Sequence, residues 1–328
     1  MTPADARTPM TVRVVACAGG RMANVVARWN NVPVSSDAPS APEHQNNSPL
    51  AVNGAVRHPW RRMVSLGDSF TEGIGDPDPR SPGGHRGWAD RVAEQLSRGV
   101  DDFAYANLAI RGRLVNQIQA EQLEPAVALQ PDLITVCAGG NDVLRPGGDP
   151  DALAVVMDDF IGRLSATGAT VMLFNGPDIG ETPVLGSMRG RVAIYNENLR
   201  TVAARHDAII ADMWSLRELH EPRMWAPDRL HFSPLGHHTI AMMVLDTLNV
   251  EHELKPLEAL PAEPKPWRTA RREDLVWART HLAPWVLRRL RHQSSGDGIS
   301  PKRPQATPFA PVSGSHSVGA GDPRDDGS

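Results

Sequence analysis

Short apolar runs and amphipathic stretches alternate through the middle of the chain. Five runs read as strands: MVSLGD at 63–68, FAYANLAI at 103–110, DLITVCAGG at 132–140, ATVMLFNG at 169–176 and AIIADM at 208–213. Each is short and largely apolar. Between and after them lie helical stretches at 87–99, 115–130, 151–168, 191–207 and 234–250. In the third, Leu153, Val156, Met157, Phe160, Ile161 and Leu164 recur at three- and four-residue steps, which puts them on one helix face. Pro125 falls inside the second and is expected to kink or split it. Strand and helix alternating over short connections predict an α/β fold with a parallel sheet covered on both faces. In such sheets ligands bind beyond the carboxyl ends of the strands. Ser69, Gly112 and Asn141 all follow predicted strands and fall at that edge.

The flanks have a different texture. Residues 1–58 show no sustained period and are expected to form a disordered extension, with the structured domain at 59–250. The stretch Val14-Val15-Ala16-Cys17 faintly resembles a lipoprotein cleavage box, but Asp5, Arg7 and Arg13 interrupt the apolar segment a secretory signal requires. No run reaches the roughly 20 apolar residues of a membrane span, and the expected location is cytoplasmic. Residues 251–293 read as a Pro-rich linker followed by a basic helix. That helix either packs on the domain through Trp277, Trp285 and Leu290 or makes a weak contact with an anionic surface through its arginines. Residues 294–328, rich in Gly and Pro, are expected to be a disordered tail.

Composition narrows the function classes. The formal net charge of the 328 residues is −4, so no basic field points to a nucleic-acid partner. The two cysteines, Cys17 and Cys137, offer no disulfide framework, and the twelve histidines form no metal-ligand motif. Cys137 lies in an apolar run and reads as a small buried hydrophobe. No metal or cofactor is implied, and a monomer is expected.

The chemistry is concentrated in four blocks: GDSFTEG at 67–73, NLAIRG at 107–112, GGND at 139–142 and DRLHFSPLGH at 228–237. Singly, each has a plain structural reading. Ser69 and Glu72 fit a helix capping box, GGND is ordinary turn chemistry, and a D-x-x-H pair can be a turn cap with a surface histidine. A hydrolytic serine, however, needs a base to take its proton and a carboxylate to orient that base. Four such blocks in order, each beside a predicted element end, favour the chemical reading.

In these four blocks the chain resembles the SGNH hydrolases, or GDSL esterases and lipases, over about residues 61–250. The resemblance implies a flavodoxin-like three-layer α/β/α sandwich with five parallel strands, and a serine esterase or lipase acting on a small soluble ester or thioester. It implies Ser69 as nucleophile, His231 as base and Asp228 as its partner, with the Ser69 and Gly112 N–H groups and the Asn141 amide as oxyanion donors. Acyl transfer to an acceptor other than water is the alternative on the same site, and a non-catalytic binding module retaining the fold is the rival of another class. The residues around the blocks suggest further roles. Trp88 and Arg111 are candidates for contact with substrate, the 176–190 loop for one wall of an acyl pocket, and Asp68, Asp142 and His237 for structural support.

Overall fold

The computed structural model describes residues 58–257 apart from 99, 183 and 184, then 277, 279–280 and 295–309, with the backbone of 14–18 and 21–25. The chain divides into two units, Met1–Ser48 and Pro49–Ser328. In the first, β1 (Val14–Ala18) and β2 (Arg21–Val25) pair antiparallel with Ala18 opposite Arg21, within the stretch expected to be a disordered extension. The other residues of 1–57 lie outside the described residues. So does the basic helix expected near 269–293, save for 277 and 279–280.

The second unit is built on six strands. β3 (Arg62–Gly67), β4 (Ala104–Asn107), β5 (Leu133–Cys137), β6 (Thr170–Phe174) and β7 (Ile209–Ala211) run parallel, and the order is β7-β6-β5-β3-β4-β8. These are the five strands the apolar runs mark. The sixth, β8 (Arg303–Pro308), pairs antiparallel with β4 and comes from the segment expected to be a disordered tail. Its sequence, RPQATP, has neither apolar alternation nor β-branched density. At the sheet edge its two prolines cost no ladder bond to a further strand.

Helices cover both faces. α3 (Val115–Ala128), α5 (Pro150–Ser165) and α6 (Arg189–Arg205) lie on one side, and α2 (Gly87–Leu96) and α7 (Pro234–Thr247) on the other. Strand residues sort between the two cores with period two: Val64 and Leu66 join the first and Met63 the second. A strand buried on both faces reads as a continuous apolar run, which is why these five were visible. α3 passes through Pro125 and ends three residues later, so the proline falls in its last turn rather than splitting it. The central strand β3 lies between β4 and β5, so the connections leaving β3 and β5 diverge to opposite faces and open a crevice at their carboxyl ends.

Buried charge anchors β8. Lys302 is 2% exposed in its side chain, and its Nζ lies 3.0 Å from Asp90 Oδ1. Nζ also donates to the carbonyls of His85 and Arg86 at 3.1 and 2.8 Å. Burial lowers the pKa of this ammonium, and the Asp90 charge opposes that shift. Asp90 further accepts from Tyr105 Oη at 3.0 Å and lies 3.6 Å from Arg303. Removing one member of a buried pair strands the other charge. Lys302→Met is therefore expected to lower stability by about 3 kcal/mol in urea denaturation, whereas Lys302→Ala with Asp90→Ala loses less than the sum of the two single changes.

Candidate active site

The turn after β3 is fixed before any catalytic group is considered. Gly67 has φ 147, and a Cβ there would collide with the Cys137 carbonyl oxygen on the neighbouring strand. The buried Gln122 side chain holds this residue from both ends, accepting from Gly67 N–H at 2.8 Å and donating to Gly67 O at 2.9 Å. Asp68 then caps the short helix α1 (Ser69–Glu72), its Oδ1 accepting from Phe70 N–H at 3.1 Å. Ser69 is thus the first helical residue, where the N–H has no intrahelical partner. The S-x-x-E capping box does not form. Asp68 takes the cap one position earlier, and Glu72 turns to Arg111, accepting from its N–H at 2.7 Å and its Nε at 3.0 Å.

A second tight turn presents Asp228 and His231. Asp228 Oδ1 accepts from the N–H groups of Leu230 and His231, both at 3.0 Å, while Arg229 takes φ 55 to close the loop. Oδ2 lies 2.6 Å from His231 Nδ1, and His231 Nε2 lies 3.0 Å from Ser69 Oγ. Burial opposes ionisation of Asp228, but the His231 bond and charge and the two backbone N–H groups outweigh it and bring the pKa to about 2. An ionised carboxylate only accepts, so Nδ1 carries the proton and Nε2 is left to accept the Ser69 hydroxyl.

Asn141, in α4 (Gly140–Val143), follows β5 at the same edge. Its Nδ2 donates to Asp68 Oδ2 at 2.9 Å and to Arg113 O at 3.2 Å. Gly112, φ 74, lies between Arg111, bonded to α1 through Glu72, and Arg113, bonded to Asn141. Among the described residues no acceptor meets the Gly112 N–H. Asp142 Oδ2 accepts from Val115 N–H at 3.1 Å and fastens the start of α3.

Ser69, Asn141 and His231 border a cavity of about 190 Å³ whose other walls are largely apolar. Ile179 and Leu185 of the 176–190 loop form one side, with Leu144, Val192, Leu199 and Trp225 around the rest. Cys137 also lines it, so the thiol is not simply core as its apolar run suggested; burial pushes its pKa well above the usual thiol value. Two expectations are corrected. Trp88 does not reach the cavity: it is fully buried, its ring 5.6 Å from Phe70 and 4.5 Å from Phe174 between centroids. Arg111 does not line the cavity either, and its guanidinium is tied to Glu72. Met213, Asn175 and Trp225 line it without having been singled out, since they come from three separate loops that the sequence does not connect.

Behind the site, His237 is buried at the start of α7. Its Nδ1 accepts from Trp88 N–H at 3.2 Å, and its Nε2 donates to Ile74 O at 3.1 Å. It ties α7 to α2 and to the turn after α1.

Residues 65–239 match the family model described as GDSL-like lipase/acylhydrolase family. Similar solved structures include an alpha/beta hydrolase enzyme from the metagenome of Lake Arreo, Spain, 23% identical with TM-score 0.49, covering 58% of this chain and 95% of that one. An acetylxylan esterase from Geobacillus stearothermophilus is 18% identical with TM-score 0.48, covering 58% of this chain and 95% of its own. A lipase/acylhydrolase from Enterococcus faecalis is 22% identical with TM-score 0.47, covering 61% and 100%. No curated protein matches the chain.

Burial lowers the His237 pKa from 6.5 to about 4, with the Ile74 carbonyl and the Asp76 charge acting against the shift. Between those values the unfolded chain binds a proton that the folded protein does not, so stability falls as pH drops from about 6.5 towards 4. His58, His85 and His238 are lowered by burial and add the same sign. Thermal midpoints measured from pH 7 to 4.5 are expected to decline, and less steeply in His237→Gln.

Proposed function

This chain belongs to the GDSL-like lipase/acylhydrolase family and is a carboxylic ester hydrolase, and we propose that it works through an acyl-enzyme on Ser69. The observation that carries this reading is the unbroken chain from Ser69 Oγ through His231 to Asp228, at 3.0 and 2.6 Å, opening beside an apolar cavity. Ser69 Oγ attacks the ester carbonyl while its proton passes to His231 Nε2. The imidazolium so formed is stabilised by Asp228, which stays ionised at any working pH. The negative charge on the former carbonyl oxygen is met by the N–H groups of Ser69 and Gly112 and by the Asn141 amide, which keeps its bond to Asp68 and gives up the longer one to the Arg113 carbonyl, donors of this kind being worth roughly 10²–10³ in rate. Collapse expels the alcohol, which takes the proton from Nε2. Water, deprotonated by the same nitrogen, then releases the acid and restores Ser69. Thioesters enter the same sequence with a thiol as leaving group.

The Asp68–Asn141 bond gives the oxyanion donor its aim. An amide held at 2.9 Å by a carboxylate that also caps α1 moves with the nucleophile turn rather than independently of it. The cavity suggests the acyl group. Its volume of about 190 Å³ exceeds the roughly 150 Å³ of a dry apolar cavity that admits benzene. This favours an acyl chain of roughly four to eight carbons, larger than acetyl and much shorter than palmitoyl.

Hydrolysis of p-nitrophenyl esters from acetyl to palmitoyl tests both parts. kcat/KM is expected to peak in the middle of the series, and Leu185→Trp to move the peak to shorter chains. Ser69→Ala and His231→Ala are each expected to lower kcat by about 10⁴–10⁶, and Asp228→Asn by about 10⁴. A fluorophosphonate should add one mass label to the wild type and none to Ser69→Ala. Labelling without hydrolysis would instead favour acyl transfer to another acceptor, and no labelling would overturn the nucleophile.

A further inference from the structure

Two contacts on the active-site loops come from chain beyond α7. Trp277 is 8% exposed, its Nε1–H donates to the Asp228 carbonyl oxygen at 2.9 Å, and the Arg229 guanidinium lies 5.0 Å from its ring centroid. The indole therefore closes on the backbone of the turn that presents the carboxylate and the imidazole. That turn needs holding. Arg229 is in a left-handed conformation that a non-glycine residue keeps only where its surroundings impose it.

The second contact lies on the other loop. Gly296 approaches the Arg111 carbonyl so closely that a Cβ would collide with it. Its neighbour Asp297 accepts from Arg113 Nη1 at 3.1 Å, and Glu121 accepts from Arg113 Nε at 2.8 Å. The Arg113 carbonyl in turn receives the Asn141 amide. Gly112 lies between the two arginines, so the backbone on both sides of its N–H is braced by the chain just ahead of β8. The pairing of β8 with β4 delivers that chain to the loop, because Arg303 stands opposite Asn107, the last residue of β4.

We propose that the C-terminal chain is a positioning clamp on the hydrolytic centre: Trp277 fixes the Asp228–His231 turn, and Gly296 with Asp297 fixes the loop that carries the Gly112 N–H. The proposal rests on the serine-hydrolase reading of Ser69. Neither Trp277 nor Asp297 borders the acyl cavity. Losing them leaves ground-state binding of the acyl group in place and removes alignment that matters in the transition state. The signature is a fall in kcat at constant KM.

The test uses the full-length chain with three changes. Trp277→Phe keeps an aromatic ring and deletes the donor, Asp297→Ala deletes the acceptor, and Asp297→Glu restores a carboxylate. On p-nitrophenyl butyrate, Trp277→Phe and Asp297→Ala are each expected to lower kcat about tenfold, with KM within about twofold and thermal midpoints within about 2 °C. Asp297→Glu should recover part of the loss. In proton NMR, Trp277→Phe should shift the downfield resonance of the His231 Nδ1 proton, and Asp297→Ala should leave it in place. Unchanged kcat in both variants with an unmoved resonance overturns the clamp. So does a loss that tracks the thermal midpoint while the resonance stays fixed. The resonance needs no substrate, so a wild type that turns over no ester would sink the hydrolase reading and still leave the Trp277 contact decided by its spectrum.

Discussion

A sheet covered by helices on both faces can meet a ligand only where its strands end, and this constraint governs the whole structure. The five parallel strands bury their apolar residues in two cores, one under α3, α5 and α6 and one under α2 and α7. All five end at the same edge, and β3 sits between β4 and β5 with its crossovers diverging. Ser69 follows β3, Gly112 follows β4 and Asn141 follows β5. Their convergence is a consequence of parallel pairing rather than of any attraction among them. Gln122 and the glycine at position 67 then set the last strand residue so closely that Ser69 has little freedom of placement.

Electrostatics complete what the sheet begins. Asp228 is partly buried, yet three hydrogen bonds from its own tight turn keep it ionised, and this fixes the tautomer of His231. Asp68 does related work on the other side, capping α1 with one oxygen and holding Asn141 with the other. Both carboxylates are bound by donors that belong to the site itself. The negative charge is thus spent on orientation, also at Asp68, which borders the cavity beside Ser69. Arg111, by contrast, is committed to Glu72.

The chain after α7 has more to do than its composition suggests. β8 closes the β4 edge of the sheet with a polar, proline-containing strand held by Lys302 and Arg303 on Asp90. Stacking adds to this, with Phe309 edge-on to Tyr105 at 5.3 Å and Arg303 over Phe309 at 4.7 Å. An edge strand of this composition also resists pairing with further chains.

The sequence alone determined the five parallel strands, the helices between them, the three blocks at strand ends and the fourth ahead of α7. Each rests on a local period or a short motif, and burial on both faces writes such periods plainly. It did not determine which carboxylate caps α1, because Asp68 and Ser69 are equally good caps and the choice followed Glu72 to a partner 39 residues away. It left Trp88 open between a substrate contact and a core aromatic, and the ring is packed against Phe70 and Phe174. It missed β8, whose order comes from a ladder with β4 and a buried ion pair rather than from its own apolar residues. The bond from Trp277 to Asp228 spans 49 positions and carries no local signature at all. Local patterns fix which elements form. Only tertiary packing decides which distant groups meet, because that depends on the relative placement of whole elements and not on the spacing within any one of them.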